Sequence, residues 1–529
     1  MKNISIYYVT PYDSSLYFPI LYNFFRISNY LNARKEKLPG DILEEYIDLR
    51  FEKFPPFNRE NLPDYLEHLE KFFEKLLFQV ELPIIALSCY SSYCYLNTIY
   101  IAYIIKKLCP NSLIVVGGVH PSIFPEEFQP SGIPGFIHER FSENTTPIDY
   151  IIQYEGEQTF FELIKQCCNN KLTFRNNLKT PCRILTNKEL IDLDKVPLID
   201  LTLAEKYKED IASHNHLYID FFRGCPNRCK FCIGSLNIPC YNKIRSKKIE
   251  KCIKELELIN RIDWLHIDYL DICDPIFLPI RSFKREFFEK FSELKKNNGF
   301  HLKLQVFERI DTCSLSDLEY YKQLDINPLI GVESFSRNLL EKIGKLNLLN
   351  ERFKNKHLLG YLNKTREIIK KVAEIDLNAV FYYIVGVPGV TKETLDEDYE
   401  FLFGKDESGK SLAEDFKFII QFFKYSSYPS ADFYLEPSYG SLIHFPDWWK
   451  QFDGEPSLRN KMVTPSNEIG FLDMMRVTSK LIDKFFKAQR KLNNPKYNNN
   501  YLFKIKMIER ALSDKFKEYN LAMEVDKKT

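Results

Sequence analysis

The chain has 529 residues, with 73 Lys and Arg against 72 Asp and Glu, so its formal net charge is +1. That balance excludes a global electrostatic pull towards nucleic acid or a membrane surface, and no apolar run approaches the roughly 20 residues of a spanning helix. The 13 cysteines are scattered mostly singly, which is not a disulfide framework, and no secretory signal follows Met1; the expectation is two to four domains in a soluble, reduced, cytoplasmic protein.

Residues 4–9 form a short β-branched and aromatic run that stops at Thr10-Pro11, as a strand does before a breaker. Glu45–Arg50 reads as a second strand. Pro83–Ser88 is a third, apolar throughout as a strand buried on both faces should be. A helix over Leu96–Leu108 follows, then strands at Ser112–Val116 and Asp149–Gln153 and a helix from Gln158. Residues 51–80, with an amphipathic stretch from Tyr65 to Leu77, read as an insertion. Strands alternating with helices predict an α/β fold with a Rossmann-like, doubly wound parallel sheet, which binds ligands outside the carboxyl ends of its strands. Polar and glycine residues collect at those ends: Ser88, Gly117-Gly118-Val-His120-Pro121, and Glu155-Gly156-Glu157-Gln158-Thr159. Adjacent glycines let a backbone lie close against a flat ligand.

Residues 166–215 lack a long periodic segment and read as a linker. Leu217–Phe222 is then a strand, followed by helical spacing from Ile249 to Ile259 with Ser246 as N-cap. The next strand is placed at Asp263–Leu270, and later ones at 302–307, 328–332, 380–385 and 416–423, with helices between them. The basic run Lys243-Ile-Arg245-Ser-Lys247-Lys248 reads as a solvated face. Cys240, Cys252, Cys273 and Cys313 read as small buried hydrophobes. After Phe423 comes a Tyr- and Pro-rich stretch containing Trp448-Trp449, then helices at Phe471–Leu492 and Ile505–Tyr519. This helical C-terminal appendage is expected across the mouth of the preceding domain. The expected domains are residues 1–195, 196–425 and 426–529.

Between the strand at 217–222 and its helix lies Cys225-Pro-Asn-Arg-Cys229-Lys-Phe-Cys232. Three thiols in eight residues can converge on one inorganic centre, either an iron–sulfur cluster or zinc. Zinc needs a fourth ligand, and Cys240 is the only near one, without a paired Cys or His. A [4Fe–4S] cube has four corners, so three cysteines leave one iron open to an outside molecule.

This spacing, with Phe231 before the last cysteine, resembles the cluster signature of the radical S-adenosylmethionine (radical SAM) enzymes. Val-Gly-Gly-Val-His-Pro and Tyr-Glu-Gly-Glu-Gln-Thr resemble the cobalamin-binding domains fused in front of some radical SAM barrels. The resemblance spans roughly residues 1–425 and implies a cobalamin-type Rossmann-like domain followed by a partial (β/α)6 TIM-like barrel. It implies three cofactors: a [4Fe–4S] cluster on Cys225, Cys229 and Cys232, SAM, and cobalamin. SAM contacts are implied for Phe231, Asp274, Arg309, Glu333, Ser334, Ile384 and Gly386, Asp274 standing where many members carry Gly-Gly-Glu. Cobalamin contacts are implied for Ser88, Gly117, Gly118, His120, Pro121, Glu155, Gly156 and Thr159. No D-x-H-x-x-G occurs, so the usual imidazole is not the implied lower ligand of the corrin.

The activity implied is methyl transfer to an unactivated carbon or phosphorus of a peptide or small metabolite. A 5′-deoxyadenosyl radical would take hydrogen from the substrate, methylcobalamin would supply the methyl group, and a flavodoxin or ferredoxin would donate electrons. Nucleic acid and membrane are not expected partners. Alternatives are a non-methylating radical rearrangement, cyclisation or epimerisation; a radical SAM enzyme whose front domain has lost cobalamin; and a cluster or corrinoid carrier.

Overall fold

The computed structural model describes residues 4–12, 23–141, 144–169, 178–187, 189–235, 243–298, 300–346, 354–435, 440–452 and 459–495. Two six-stranded sheets, each parallel throughout, organise them.

The first sheet consists of β1 (Ile4–Thr10), β2 (Ile42–Asp48), β3 (Pro83–Ser88), β4 (Leu113–Gly117), β5 (Tyr150–Gln153) and β6 (Arg183–Thr186). Its order is β2-β1-β3-β4-β5-β6, so the winding reverses between β1 and β3. Side chains alternate between its two faces. Ile6 and Tyr8 join the core under α1 (Asn23–Asn32), while Tyr7 and Val9 join the opposite core. That second core is filled by α2 (Leu62–Leu76) and α3 (Tyr95–Leu108). On the α1 face lies α4 (Gly156–Cys168), whose Phe160 rests against Tyr8.

Two expectations are corrected here. The segment read as an insertion is the crossover from β2 to β3: Tyr65, Leu69 and Phe73 of α2 are fully buried against the sheet. Its amphipathic period is that of a core layer, and a crossover helix is what a parallel pair requires. The segment read as a linker contributes β6, paired to β5 in register Tyr150↔Arg183. β6 is a largely exposed edge strand, so it lacks the apolar run that marks a central one. Leu193, Val196, Leu201, Tyr207 and Ile211 from the same segment are buried in the core.

The second sheet contains β7 (His216–Ile219), β8 (Tyr269–Ile272), β9 (Lys303–Arg309), β10 (Ile326–Glu333), β11 (Val380–Val385) and β12 (Ile419–Lys424). Successive strands are neighbours throughout. With helices α5 (Ile249–Asn260), α6 (Arg281–Asn298), α7 (Leu315–Gln323), α8 (Arg337–Lys342), α9 (Lys354–Glu374) and α10 (Lys392–Phe403) between them, this is the winding of a partial (β/α)6 barrel. Ser246 is not the cap of α5. It pairs with Phe222 in a short antiparallel ribbon, Phe222–Arg223 against Arg245–Ser246, and Lys248 stands at the N-cap. The strand expected at Asp263–Leu270 begins only at Tyr269. The basic run is solvated only in part: Lys243 and Lys248 are exposed, whereas Lys247 is 1% exposed and pairs with the buried Glu255 at 2.5 Å.

The C-terminal stretch divides between the two sheets. Trp448 and Trp449 are buried in the α2–α3 core of the first domain, where the Trp449 indole N–H donates to Glu127 at 2.8 Å. Helix α11 (Phe471–Lys491) packs along the barrel side through Phe485 and Phe486, which meet Phe418 and Phe422. Only its first turns reach the barrel rim, where Met474 lies over Gly386. The helix expected at Ile505–Tyr519 lies outside the described residues. No helix among them is long and apolar enough to cross a membrane.

If α2 is a layer of the core, Leu69→Ala should cost about 2–5 kcal/mol of stability. Urea unfolding of the two proteins measures this; an insertion riding on the surface would show less than about 0.5 kcal/mol.

Candidate functional site

The three cysteines follow the ribbon strand Phe222–Arg223, at the carboxyl side of β7. Gly224 turns the chain there with φ +95°. The loop is held from outside. Lys230 N–H donates to Ile343 C=O at 3.0 Å, and Phe433 N–H donates to Lys230 C=O at 3.1 Å. Inside the loop Cys232 N–H donates to Cys229 C=O at 3.0 Å. Each sulfur has a donor beside it: Asn227 Nδ2 lies 3.6 Å from Cys225, Arg309 Nη1 3.3 Å from Cys229, and Gly234 N–H 3.4 Å from Cys232.

Burial pushes the Cys232 thiol up to about 12, with the charges of Cys229 and Cys225 adding to it. Burial also raises Cys229, opposed by the cations Lys345 and Arg309. Such thiols are poor anions alone but good ligands for a centre that takes them as thiolates. Among the described residues no three His, Cys, Asp or Glu side chains close on one point. A tetrahedral zinc would draw its sulfurs to within about 4 Å of each other. A cube binds its thiolates through separate corner irons, each taking one sulfur. Three thiols, each with a donor beside it, fit three corners of such a cube. Cys240 lies outside the described residues.

Around this loop the barrel rim brings some implied SAM residues together and turns others away. Arg309, at the end of β9, donates to Cys229 and is held by Asp311 at 2.8 and 2.9 Å and by the Lys345 carbonyl at 2.6 Å. Glu333, at the end of β10, has φ +64° beside a register shift and pairs with Lys345 at 2.9 Å. The two rim charges thus have separate partners. Phe231 is partly buried against the main core. Ile384 and Gly386 end β11, Gly386 with φ +76°. Ser334, by contrast, is buried and donates to Asp398 at 2.9 Å. Asp274 is fully buried, its Oδ1 accepting the N–H groups of Phe221 and Phe222, both at 2.9 Å. Burial pushes its carboxyl up to about 7 against those two donors. Through Oδ1 it braces the β7 exit, while its buried Oδ2 has no hydrogen-bond partner among the described residues.

At the carboxyl edge of the first sheet is a cavity of about 420 Å³. Ser88, Gly117, Gly118, Glu155 and Gly156 line it, and so do Tyr218, Arg223, Gly224 and Cys273 from the barrel side. Gly118 is required: its φ is +118°, and a Cβ would stand 2.5 Å from Cys89 C=O. Ser88 accepts from Asn23 Nδ2 at 2.8 Å. Pro121 and Thr159 do not line the cavity. Neither does His120, whose Nδ1 meets Ser92 at 2.8 Å and whose Nε2 meets Glu127 at 3.0 Å, away from the cavity. Its ring is an anchor for the Trp449 strap, and burial lowers its pKa. Cys252 and Cys313 are buried as expected, but Cys273 is exposed to the cavity.

An ionic clasp joins the two sides. Arg223 reaches Glu155 at 2.7 Å, Glu157 at 2.6 Å and Asp220 at 3.2 Å. Arg245 reaches Glu155 at 2.7 Å, and Arg26 pairs with Asp220. Arg223 and Arg245 do not stand out in the sequence, because their glutamate partners lie 66 to 90 residues away.

Residues 219–402, which carry the cysteine loop and most of the second sheet, match the radical SAM superfamily model. Those residues are a radical SAM domain by that match. An uncharacterized methyltransferase of Pyrococcus horikoshii is 24% identical over 381 residues, covering 69% of this chain and 71% of that protein. Among solved structures, the radical SAM methyltransferase TsrM from Kitasatospora setae matches with a TM-score of 0.57 at 15% identity, over 83% of this chain and 78% of that one. The cobalamin-dependent radical SAM enzyme OxsB matches with a TM-score of 0.61 at 16% identity, over 96% of this chain and 71% of that one. The chain thus shares its fold with OxsB.

The position of Asp274 gives a pH test. Its carboxyl holds a proton in the folded state up to about pH 7, whereas an unfolded aspartate loses it near pH 4. Between those values the folded state binds more protons, so stability falls as pH rises. Asp274→Asn keeps the acceptor for Phe221 and Phe222 but cannot ionise. The wild-type curve should fall relative to the variant by up to about 1.4 kcal/mol per pH unit between pH 4 and 7. Parallel curves in urea titrations at successive pH values would contradict it.

Proposed function

We propose that this protein is a cobalamin-dependent radical SAM methyltransferase acting on a small molecule or peptide. The observation that carries the proposal is one shared space. Arg223 and Gly224, which lead directly into Cys225, line the same cavity as Ser88, Gly117 and Gly118 of the first sheet.

In this reading Cys225, Cys229 and Cys232 hold the cluster. Arg309 and Gly234 N–H stabilise its sulfurs, and charged donors to sulfur of this kind favour the reduced state. Glu333 and the exit of β11 receive the SAM amino and adenine groups at the rim. Gly117 and Gly118 admit the flat face of the corrin, with Ser88 and Asn23 at the sheet edge. When bound, the cluster with SAM supplies a 5′-deoxyadenosyl radical and cobalamin supplies a methyl group. The chain's own task is to hold both reagents on either side of one substrate atom and to exclude water and oxygen. A flavodoxin or ferredoxin is the fitting electron donor.

Anaerobic reconstitution with iron, sulfide, hydroxocobalamin, SAM and dithionite tests this. The wild type should form 5′-deoxyadenosine and retain a corrin through gel filtration. Cys225→Ala, Cys229→Ala and Cys232→Ala should each lower 5′-deoxyadenosine formation at least about 100-fold while leaving the fold intact by circular dichroism. Product that gains one CH2 unit supports methylation. A product gaining anything else, or nothing, would move the assignment to a radical rearrangement, and protein that never holds a corrin would remove cobalamin from it.

A further inference from the structure

A dense group of charges stands beside Cys229. Arg309, Glu333 and Lys345 are all buried. Arg309 pairs with Asp311 and reaches the Cys229 sulfur at 3.3 Å, and Lys345 pairs with Glu333. The packing is close: a Cβ on Gly331 would stand 2.5 Å from Glu333 Oε1 and 3.1 Å from Lys345 Nζ. The charges of the group are thus matched within it.

A neutral side chain in the same place is not. Tyr361, near the start of α9, is 4% exposed, and its buried hydroxyl has no hydrogen-bond partner among the described residues. The turn that carries it is fastened to the barrel rim, where Lys364 Nζ donates to the Asp311 carbonyl at 3.1 Å. Burial pushes the Tyr361 phenol well above its usual range, opposed by Arg309, with Asp311, Glu333 and Cys229 adding to the rise. Those charges surround the ring, and its hydroxyl bonds to none of them.

A hydroxyl taken out of water and given no acceptor destabilises the fold, and a native structure keeps few of them. Phenylalanine would fill the same space without that penalty. The oxygen is accounted for by an acceptor that arrives with a ligand. Thiols that bind a centre as thiolates supply one, because both their sulfurs and the sulfides of a cluster are electron-rich.

We infer that Tyr361 belongs to the cluster site, its hydroxyl donating to a sulfur of the bound cluster at the Cys229 corner, where Arg309 already donates. This rests on the reading of Cys225, Cys229 and Cys232 as cluster ligands and adds a donor from outside their loop. Hydrogen bonds to cluster sulfur favour the reduced state, so Tyr361 eases the uptake of the electron.

Tyr361→Phe removes the oxygen and keeps the ring, and two measurements on full-length protein test it. In the metal-free protein the urea midpoint of the variant should equal or exceed that of the wild type, since the hydroxyl bonds to nothing there. A lower midpoint would show that the hydroxyl already has a partner in the fold, and would overturn the inference. In protein reconstituted with iron and sulfide but without SAM, a redox titration followed by electron paramagnetic resonance reads the reduced fraction. At a fixed potential that fraction should be about threefold smaller in the variant. An equal or larger fraction would overturn the inference. So would a difference that appears only once SAM is added, which would assign the hydroxyl to SAM instead. Wild-type protein that takes up no [4Fe–4S] cluster would defeat the cluster reading itself. A loaded wild type with an indistinguishable variant would defeat the role of Tyr361 alone.

Discussion

The structure depends on the ionic clasp between the Glu155-Gly156-Glu157 turn and the base of the cysteine loop. Arg223 lies two residues before Cys225 and is held by Glu155, Glu157 and Asp220, with Arg245 doubling the grip on Glu155. All of these side chains are at most 16% exposed. Buried ion pairs return little net stability, because desolvation offsets the attraction. What they return is geometry, since breaking one partner leaves an uncompensated charge. The clasp therefore sets where the first sheet's ligand edge lies relative to the thiols, a placement that two smooth apolar surfaces would not define.

The rest of the site follows from that placement. The ribbon formed by Phe222–Arg223 and Arg245–Ser246 carries two of the clasp arginines side by side. Asp274 fixes the adjoining backbone by taking two N–H groups. From the other side, Gly118 approaches Cys89 so closely that no side chain fits. The C-terminal strap adds a second tie, through Trp449, Glu127 and His120 in one buried network, with Lys450 on the same carboxylate at 2.7 Å.

How much of this was legible in the sequence varied with the range of the interaction involved. Pro83–Ser88 was readable to the residue because a strand buried on both faces needs only its own apolar run. The cysteine loop was readable because its chemistry lies within eight residues. Helix α2 was visible as a periodic stretch but misread, since nothing local says whether an amphipathic face meets the sheet or solvent. β6 was missed because an edge strand carries little apolar signal. Ser246, Lys247 and Arg245 were misread together: a serine before a helical period resembles a cap, and basic residues resemble a solvated face, until partners 8 to 90 residues distant claim them. Ser334, Asp274 and His120 show the same limit at the site. Each lies just past a strand end, but Asp398, the Phe221–Phe222 amides and Glu127 decide where their polar atoms point.

The location of the core explains why a site can exist at all. In this barrel the apolar packing lies outside the sheet, between the strands and α5–α10, where Phe287, Phe291, Leu339 and Leu402 are fully buried or nearly so. Stability is thereby carried by the outer layer. The lumen is released from the packing requirement, and polar residues such as Gln305 and Asn327 can face inward without unfolding the domain. A sheet that closed on itself with aliphatic layers would be more stable and would leave no room beside the thiols. The same trade recurs in the first sheet, whose apolar faces are covered by α1 to α4 while its carboxyl edge is left to glycines and charged residues. The strand ends and the lumen are the surfaces that neither core needs, and the proposed chemistry is placed there.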